Sequence, residues 1–279
     1  MTDLKYQGPH ATPEDDNDDD LVGEILSRRR ALRALGIAGG LTVAGGVLAG
    51  GAGGRPPGPP PSGTGGMGTS AGTSGVKGLP GCVVRPAQTQ GPYWVDERLQ
   101  RRDIRSDTHT RAVKPGVPLV LTFDVSRVGV GVCEPRAGIL VDVWHCDAAG
   151  VYSDAKDAGY DTRGQNFLRG TQLTDASGKA TFSTIFPGWY AGRAVHIHYR
   201  LRVLNGSTVK GDFASQLFFD EAVTDTVHKA APYRSKGRRD TLNANDMVYR
   251  NGGSQMLLQL KGSASRGYTA TFDVGLNIA

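Results

Sequence analysis

"AVHIHYRLRV", residues 194 to 203, decides the fold. From Val195 onward apolar side chains (Val195, Ile197, Tyr199, Leu201, Val203) alternate with polar ones (His196, His198, Arg200, Arg202), the period-two signature of a strand with one buried face. At a rise of ~3.3 Å per residue, His196 and His198 stand on one face about 6 to 7 Å apart along the strand. Short β-branched and aromatic runs of the same kind occur on both sides: "PLVLTFDVSRV", "GILVDVWHCD", "FLRGTQLTD", "GKATFSTIF", "ASQLFFD", "SQMLLQLKG" and "GYTATFDVGL", separated by Gly, Asp, Asn and Ser breaks. With no long helical period to compete, this spacing predicts an all-β sandwich. "TDASGK" (174–179) predicts a hairpin turn that sets "FLRGTQL" and "ATFSTIF" side by side. "LRVLNGSTVKGDFA" (201–214) contains a loop, and the polar stretch 225–250 reads as a long excursion between strands that covers something.

The chain has 279 residues, and its composition supports one folded domain, over 79–279, because the first eighty positions cannot build a core. Residues 1–54 hold the acidic run "PEDDNDDD" and a signal-like segment; residues 55–78 are a Gly/Pro/Ser/Thr linker, expected to be disordered. "SRRRALRALGIAGGLTVAGGVLAG" (27–50) has a serine, paired arginines, a leucine three places beyond the pair and an uncharged run, and resembles a twin-arginine export signal with Ala31 at the position that usually prefers phenylalanine. Nine of the 21 residues from Ala34 to Gly54 are glycine, which favours a signal over a spanning helix. The segment has no clean small-x-small cleavage site, so retention as a membrane anchor stays open. Export implies an extracellular or cell-surface protein that meets a membrane only through this segment.

The net charge of +5 is unevenly shared, since residues 1–54 carry 5 basic and 8 acidic side chains. The basic remainder is scattered, as in "ERLQRRDIR" and "SKGRRD", without a clustered face or interleaved aromatics, which excludes a nucleic-acid groove. Three cysteines in an exported chain give one bridge and one free thiol. Cys82 and Cys133 each start an ordered segment beside Gly or Pro and are expected to pair, leaving Cys146, inside an apolar strand, buried and reduced. No C-x-x-C pair exists, so cysteine-ligated zinc is not expected.

Two histidines on one strand face suit two ligands of one ion, or nothing at all. The positions where a cupin-type site needs a glutamate are Arg202 and Val203, and a third histidine for a zinc site is missing. The neighbours are phenolic: Tyr190, six residues ahead of His196, and Tyr152 in "WHCDAAGVYSD". A phenol, with its ordinary pKa of ~10, binds well only where a strongly charged cation drives off its proton. Two phenolates, two imidazoles and one hydroxide neutralise Fe(III) and would overcharge zinc or Fe(II).

Several motifs in order, "QTQGPYWVD", "VDVWHCDAAGVYSD", "LRGTQLTDASGKATFSTIFPGWYAGRAVHIHYRL", "SQLFFD" and "TLNANDMVYRNGGSQ", make the chain from about Cys82 onward resemble the intradiol ring-cleavage dioxygenases, the family of catechol, hydroxyquinol and protocatechuate dioxygenases, with the cysteine pair looking like its exported branch. The resemblance implies Tyr152, Tyr190, His196 and His198 as Fe(III) ligands, Arg193 and Gln216 beside the substrate, and Gly91, Pro92 and Tyr93 at the pocket mouth. It implies that a catecholic substrate and O2 react so that the ring opens between the two hydroxyl-bearing carbons, giving a cis,cis-muconate-type product. Tyr190 would act as ligand and base in turn, and Arg193 would stabilise developing charge. The helical N-terminal dimerisation segment of catechol-type members is absent, which leaves the oligomeric state unassigned. His145 is expected to be structural, and His109 and His228 carry no assigned role. Two alternatives remain: a secreted sandwich module that binds a ligand without catalysis, and a zinc hydrolase that uses the H-x-H pair with a nearby glutamate base.

Overall fold

A computed structural model describes residues 83–129 and 132–277. The signal-like segment, the linker and Cys82 lie outside the described residues. The architecture is all-β, two sheets packed face to face. The first is built on β1 (Pro118–Gly129), which pairs along one edge in parallel with β11 (Gly267–Leu276), and along the other antiparallel with β2 (Val132–Pro135) and β7 (Lys179–Ile185). The short β10 (Lys261–Ser263) extends the β11 edge. The second sheet is antiparallel in the order β6 (Arg169–Leu173), β3 (Ile139–Trp144), β8 (His196–Asn205), β9 (Thr208–Phe218). A two-stranded flap, β4 (Lys156–Asp157) with β5 (Tyr160–Asp161), stands apart.

Alternation within each strand builds the core. Leu119, Leu121, Phe123 and Val125 of β1 face Val141 of β3 and Ile197, Tyr199 and Leu201 of β8, and all are buried. Phe123 is the aromatic hub, with ring centroids 6.2 Å from Phe182, 5.1 Å from Tyr199 and 6.3 Å from Phe272. Each such side chain contributes about 1.5–3 kcal/mol by leaving water. The other face of the second sheet carries the intervening residues: His196, His198, Arg200 and Arg202 on β8, Asp142 and Trp144 on β3, Thr171 on β6 and Gln216 on β9.

That outer face is covered by residues 88–97, an extended strap. Gln88 donates its backbone N–H to Ala214 O at 3.0 Å, the Trp94 indole lies 4.2 Å from the Arg200 guanidinium, and Asp96 accepts from Arg202 at 2.9 Å. Beneath it Arg202 also donates through Nε and Nη2 to the buried Asp142 at 2.8 and 2.9 Å, and Asp142 accepts from Thr171 Oγ1 at 2.6 Å. Charges out of water persist only with such saturation.

Three expectations are corrected. β6 and β7 are not sheet neighbours: the turn between them is closed by Asp175, whose Oδ1 accepts from Ser177 N and Lys179 N, but β6 pairs with β3 and β7 with β1, in opposite sheets. Turn composition fixes a bend and not the partner of each arm. Most of 201–214 is strand rather than loop, because β8 and β9 run on as one long hairpin to Asn205 and Thr208, with a register shift between Val203 and Leu204. "SQMLLQLKG" forms a 3-10 turn at Gly253–Met256 and only reaches strand at Lys261. The excursion contains a helix, α1 (Glu221–His228), whose first turn is capped by Asp220 accepting from Ala222 N and Val223 N, two 3-10 turns, and the four-residue α2 (Met247–Arg250). Among the described residues no helix is long and apolar enough to cross a membrane.

Candidate active site

At one end of the outer face the two histidines of β8 meet two loops. The loop from His145 to Ala155 follows β3 and carries Tyr152; the loop from Phe186 to Val195 precedes β8 and carries Tyr190 and Arg193. The loops touch backbone to backbone: Gly188 N–H donates to Asp147 O at 3.1 Å, and a Cβ on Gly150 would lie 2.1 Å from Trp189 O. Only glycine permits that approach, and it brings the two tyrosines to one place.

The other three donors converge on His196 Nε2. Tyr190 Oη is 3.2 Å from it, Tyr152 Oη 3.5 Å and His198 Nε2 3.0 Å. Two donors each about 2.0–2.1 Å from one ion and roughly 90–120° apart stand about 2.8–3.6 Å from each other, so these separations fit a shared cation. The chemistry of the donors fits as well. His196 Nδ1–H donates to Ala194 O at 2.6 Å, which leaves a lone pair on Nε2, the tautomer a metal ligand needs. Burial pushes His196 down to about 3 and His198 well below the ordinary imidazole value, so both rings stay neutral. Burial also raises the phenols, Tyr152 well above its ordinary value and Tyr190 to about 12, with the Arg193 charge opposing the rise at Tyr190. Such phenols ionise only against strong positive charge. Among the described residues no three His, Cys, Asp or Glu side chains gather to hold a metal. The imidazoles have phenols for company, a set suited to a hard trivalent ion such as Fe(III) rather than to zinc.

Supporting contacts fix each donor. The His198 ring stacks on Trp144 at 5.0 Å and 6° and lies against Gly91, where a Cβ would come within 3.1 Å of its Cε1; its Nδ1 is buried without a partner, so packing orients this ring. Tyr93 stacks on Tyr152 at 4.2 Å and 14°, meets Tyr190 edge-on at 6.2 Å, and donates its hydroxyl to Asp157 of the flap at 2.8 Å. Pro92 is exposed at the bend between Gly91 and Tyr93. Arg193 directs Nη1 at Tyr190 Oη, 3.4 Å away, and Nη2 at Gln216 Oε1, 2.6 Å away. Gln216 sits opposite His198 in the β8/β9 register and donates Nε2 to Thr89 O at 2.9 Å.

The residues expected at the metal and beside the substrate, Tyr152, Tyr190, Arg193, His196, His198 and Gln216, therefore stand together, with Gly91 and Tyr93 packed against them and Pro92 exposed. Cys133 is disulfide-bonded, and Cys146 is the free, buried thiol. His145 is structural: Nδ1–H donates to Cys146 O at 2.8 Å, and Nε2 is 2.7 Å from Thr184 Oγ1. Two contributors were missed. Trp144 carries no sequence sign of its stacking role. Asp246, fully buried, accepts from Arg193 Nε at 2.9 Å and Ala194 N at 2.8 Å. An aspartate ahead of "MVYR" reads as a helix cap, but its partner 53 residues upstream is invisible without the fold.

A family model described as "Dioxygenase" matches residues 89–260. The protocatechuate 3,4-dioxygenase beta chain of Burkholderia cepacia is 40% identical over 110 residues, covering 34% of this chain and 44% of that protein, so the match spans less than half the length of that relative. The structure is similar to an intradiol ring-cleavage dioxygenase from Tetranychus urticae, with 29% identity, a TM-score of 0.61, and coverage of 70% of this chain and 95% of that one. A second solved dioxygenase is similar at 28% identity and a TM-score of 0.61, covering 71% and 95%. The matched region runs from the strap through both tyrosine loops and the histidine strand to the excursion that carries Asp246, and over that span this chain belongs to the intradiol ring-cleavage dioxygenase family.

Proposed function

We propose that this chain is an Fe(III)-dependent dioxygenase that opens catecholic rings between the two hydroxyl-bearing carbons with O2, giving cis,cis-muconate-type products. The observation that carries this reading is the convergence of Tyr152, Tyr190 and His198 within 3.5 Å of His196 Nε2. These four side chains would hold the iron, which when bound supplies a Lewis-acidic, redox-active centre that makes a chelated catecholate reactive toward O2.

The protein's own work is proton handling, orientation and exclusion of water. Tyr152 is 1% exposed, whereas Tyr190 is the more accessible phenol beside a guanidinium. Tyr190 Oη is therefore the oxygen suited to take a proton from an arriving catechol hydroxyl, and Tyr152 the one to remain in place. Arg193 holds its Nη1 donor beside Tyr190 Oη and would stabilise negative charge that develops on the bound substrate, with Gln216 keeping the guanidinium turned toward the site. Tyr93 and the strap wall off the Tyr152 side, which keeps charge near these donors out of bulk water and strengthens its interactions.

Export through the segment at residues 27–50, and action on catechols outside the cell, form part of this proposal; their support is the arginine pair and the uncharged run that follows it. The iron-loaded protein should be red-brown through phenolate-to-iron charge transfer. It should consume O2 with at least one of catechol, protocatechuate, hydroxyquinol or caffeate, the product being identified by its ultraviolet spectrum. Tyr190→Phe should retain iron, shift the colour and slow turnover by roughly 100-fold or more. A colourless iron-replete protein, or undiminished turnover in Tyr190→Phe, contradicts the proposal.

A further inference from the structure

Asp246 lies at the N-terminus of α2, on the excursion and outside the donor set, and it is 0% exposed. Its carboxylate is fully used: Oδ2 accepts from Arg193 Nε at 2.9 Å and from Ala194 N at 2.8 Å, and Oδ1 accepts from Tyr249 N at 2.8 Å. One side chain thus clamps together the tip of the Tyr190 loop, the first residues leading into β8, and the start of α2. Each donor nitrogen of Arg193 has its own partner: Nε on Asp246, Nη2 on Gln216 and Nη1 toward Tyr190. Because a guanidinium is planar, fixing Nε and Nη2 leaves no freedom over where Nη1 points. The backbone bond to Ala194 adds a second restraint, since Ala194 O in turn receives the Nδ1–H of His196.

We infer that Asp246 is the positioning residue of this site: it aims Arg193 at Tyr190 and ties that aim to the backbone from which His196 hangs. The inference rests on the proposed role of Arg193. It goes further in assigning to the excursion between β9 and β10 the task of orienting the arginine, rather than of covering the sheet alone. Asp246 touches neither donors nor substrate, so its influence must pass through Arg193.

Two measurements test this. In the full-length chain, kept metal-free so that no paramagnet broadens the signal, the Arg193 Nε–H resonance, identified by its loss in Arg193→Gln, should be dispersed and slow to exchange with solvent, and should merge with the exposed arginines in Asp246→Asn. A rapidly exchanging Nε–H in the wild-type chain, which needs no variant to fold, overturns the inference while leaving the iron site and the dioxygenase reading intact. The second measurement is a double-mutant cycle on the iron-loaded enzyme. Asp246→Asn should keep its iron and lose roughly 10- to 100-fold in kcat, the scale of a misplacement of about 1 Å. Adding it to Arg193→Gln should cost nothing further. Independent, additive losses would make Asp246 merely structural and refute the inference.

Discussion

Gly91→Ala perturbs the site without touching a donor. Gly91 has φ +70°, and a Cβ there would come 3.1 Å from His198 Cε1, where ordinary contact begins at 3.4 Å. The left-handed backbone costs an alanine about 1 kcal/mol. The steric part falls on the imidazole, which has little room to yield: the ring is stacked on Trp144 at 6°, and its Cα is fixed in β8 between β3 and β9. A shift of a few tenths of an ångström must appear as a tilt that moves Nε2, now 3.0 Å from His196 Nε2. Loss of a hydrogen-bonding outer-shell partner typically costs a metal-bound histidine about 10–100-fold in metal affinity, and displacing the packing that takes that place at His198 is expected to cost a similar amount. The expected outcome is a loss of about 1–2 kcal/mol in urea unfolding of the metal-free chain, together with roughly 10–100-fold weaker retention of Fe(III) against a competing chelator. Gly138→Ala is the control, because φ there is +77° and a Cβ would meet nothing within 4 Å; it should show the backbone penalty with iron retention unchanged. Equal iron retention in the two variants would refute the claim that packing, rather than hydrogen bonding, holds His198.

Two predictions concern the polar layer under the strap. Arg169 spends its donors on Ser153 Oγ, Ser153 O and Tyr93 O, leaving Glu97 with a contact of 3.8 Å; burial therefore outweighs the Arg169 charge and lifts the Glu97 carboxyl from 4.5 to about 7. Between those values the folded chain holds a proton that the unfolded chain has lost, so stability is full below pH 4.5 and falls as pH rises toward 7, by about 2 kcal/mol after allowance for partial solvent screening. Glu97→Gln should remove that slope, and melting curves for the two proteins that run parallel across pH 4.5–7.5 would count against it. Arg202→Ala strands the buried Asp142 and frees Asp96, and should destabilise by about 3–5 kcal/mol in chemical unfolding. A cost under 1 kcal/mol would mean that this ion cluster does not hold the strap down.

What the sequence discloses divides along a physical line. Alternation in β8 announces both a buried face and the face that carries the candidate site, since the rule that sends Ile197, Tyr199 and Leu201 inward sends His196 and His198 to the opposite side. The tyrosines are legible only as loop phenols near strand ends, and the motif order of a family is what ties them to the histidines. Sheet membership is not legible: β6 and β7 are joined by a well-formed turn and still part into opposite sheets, because pairing is decided by which distant strands complete each layer. Trp144 and Asp246 escape for the same reason. Their partners are 54 and 53 residues away, and nothing local distinguishes a stacking tryptophan from a core one, or a capping aspartate from one that also grips an arginine.

This division also bears on how the site tolerates change. Because β8 supplies the central core and both nitrogen donors from alternate residues, the positions of His196 and His198 are set by the packing of Ile197 and Tyr199 on the opposite face. Tyr199 lies 5.1 Å from Phe123 and 5.8 Å from Phe272, and a close-packed interior passes strain on rather than absorbing it. The oxygen donors hang on loops whose registration depends on a backbone contact at Gly150 and, through the Tyr190 loop, on Asp246. The two halves of the donor set are thus held by different means, the nitrogens by the sandwich core and the oxygens by loop clamps. Truncations in the core should therefore displace imidazoles and phenols unequally, whereas changes at Asp246 or Gly150 should act first on the Tyr190 side.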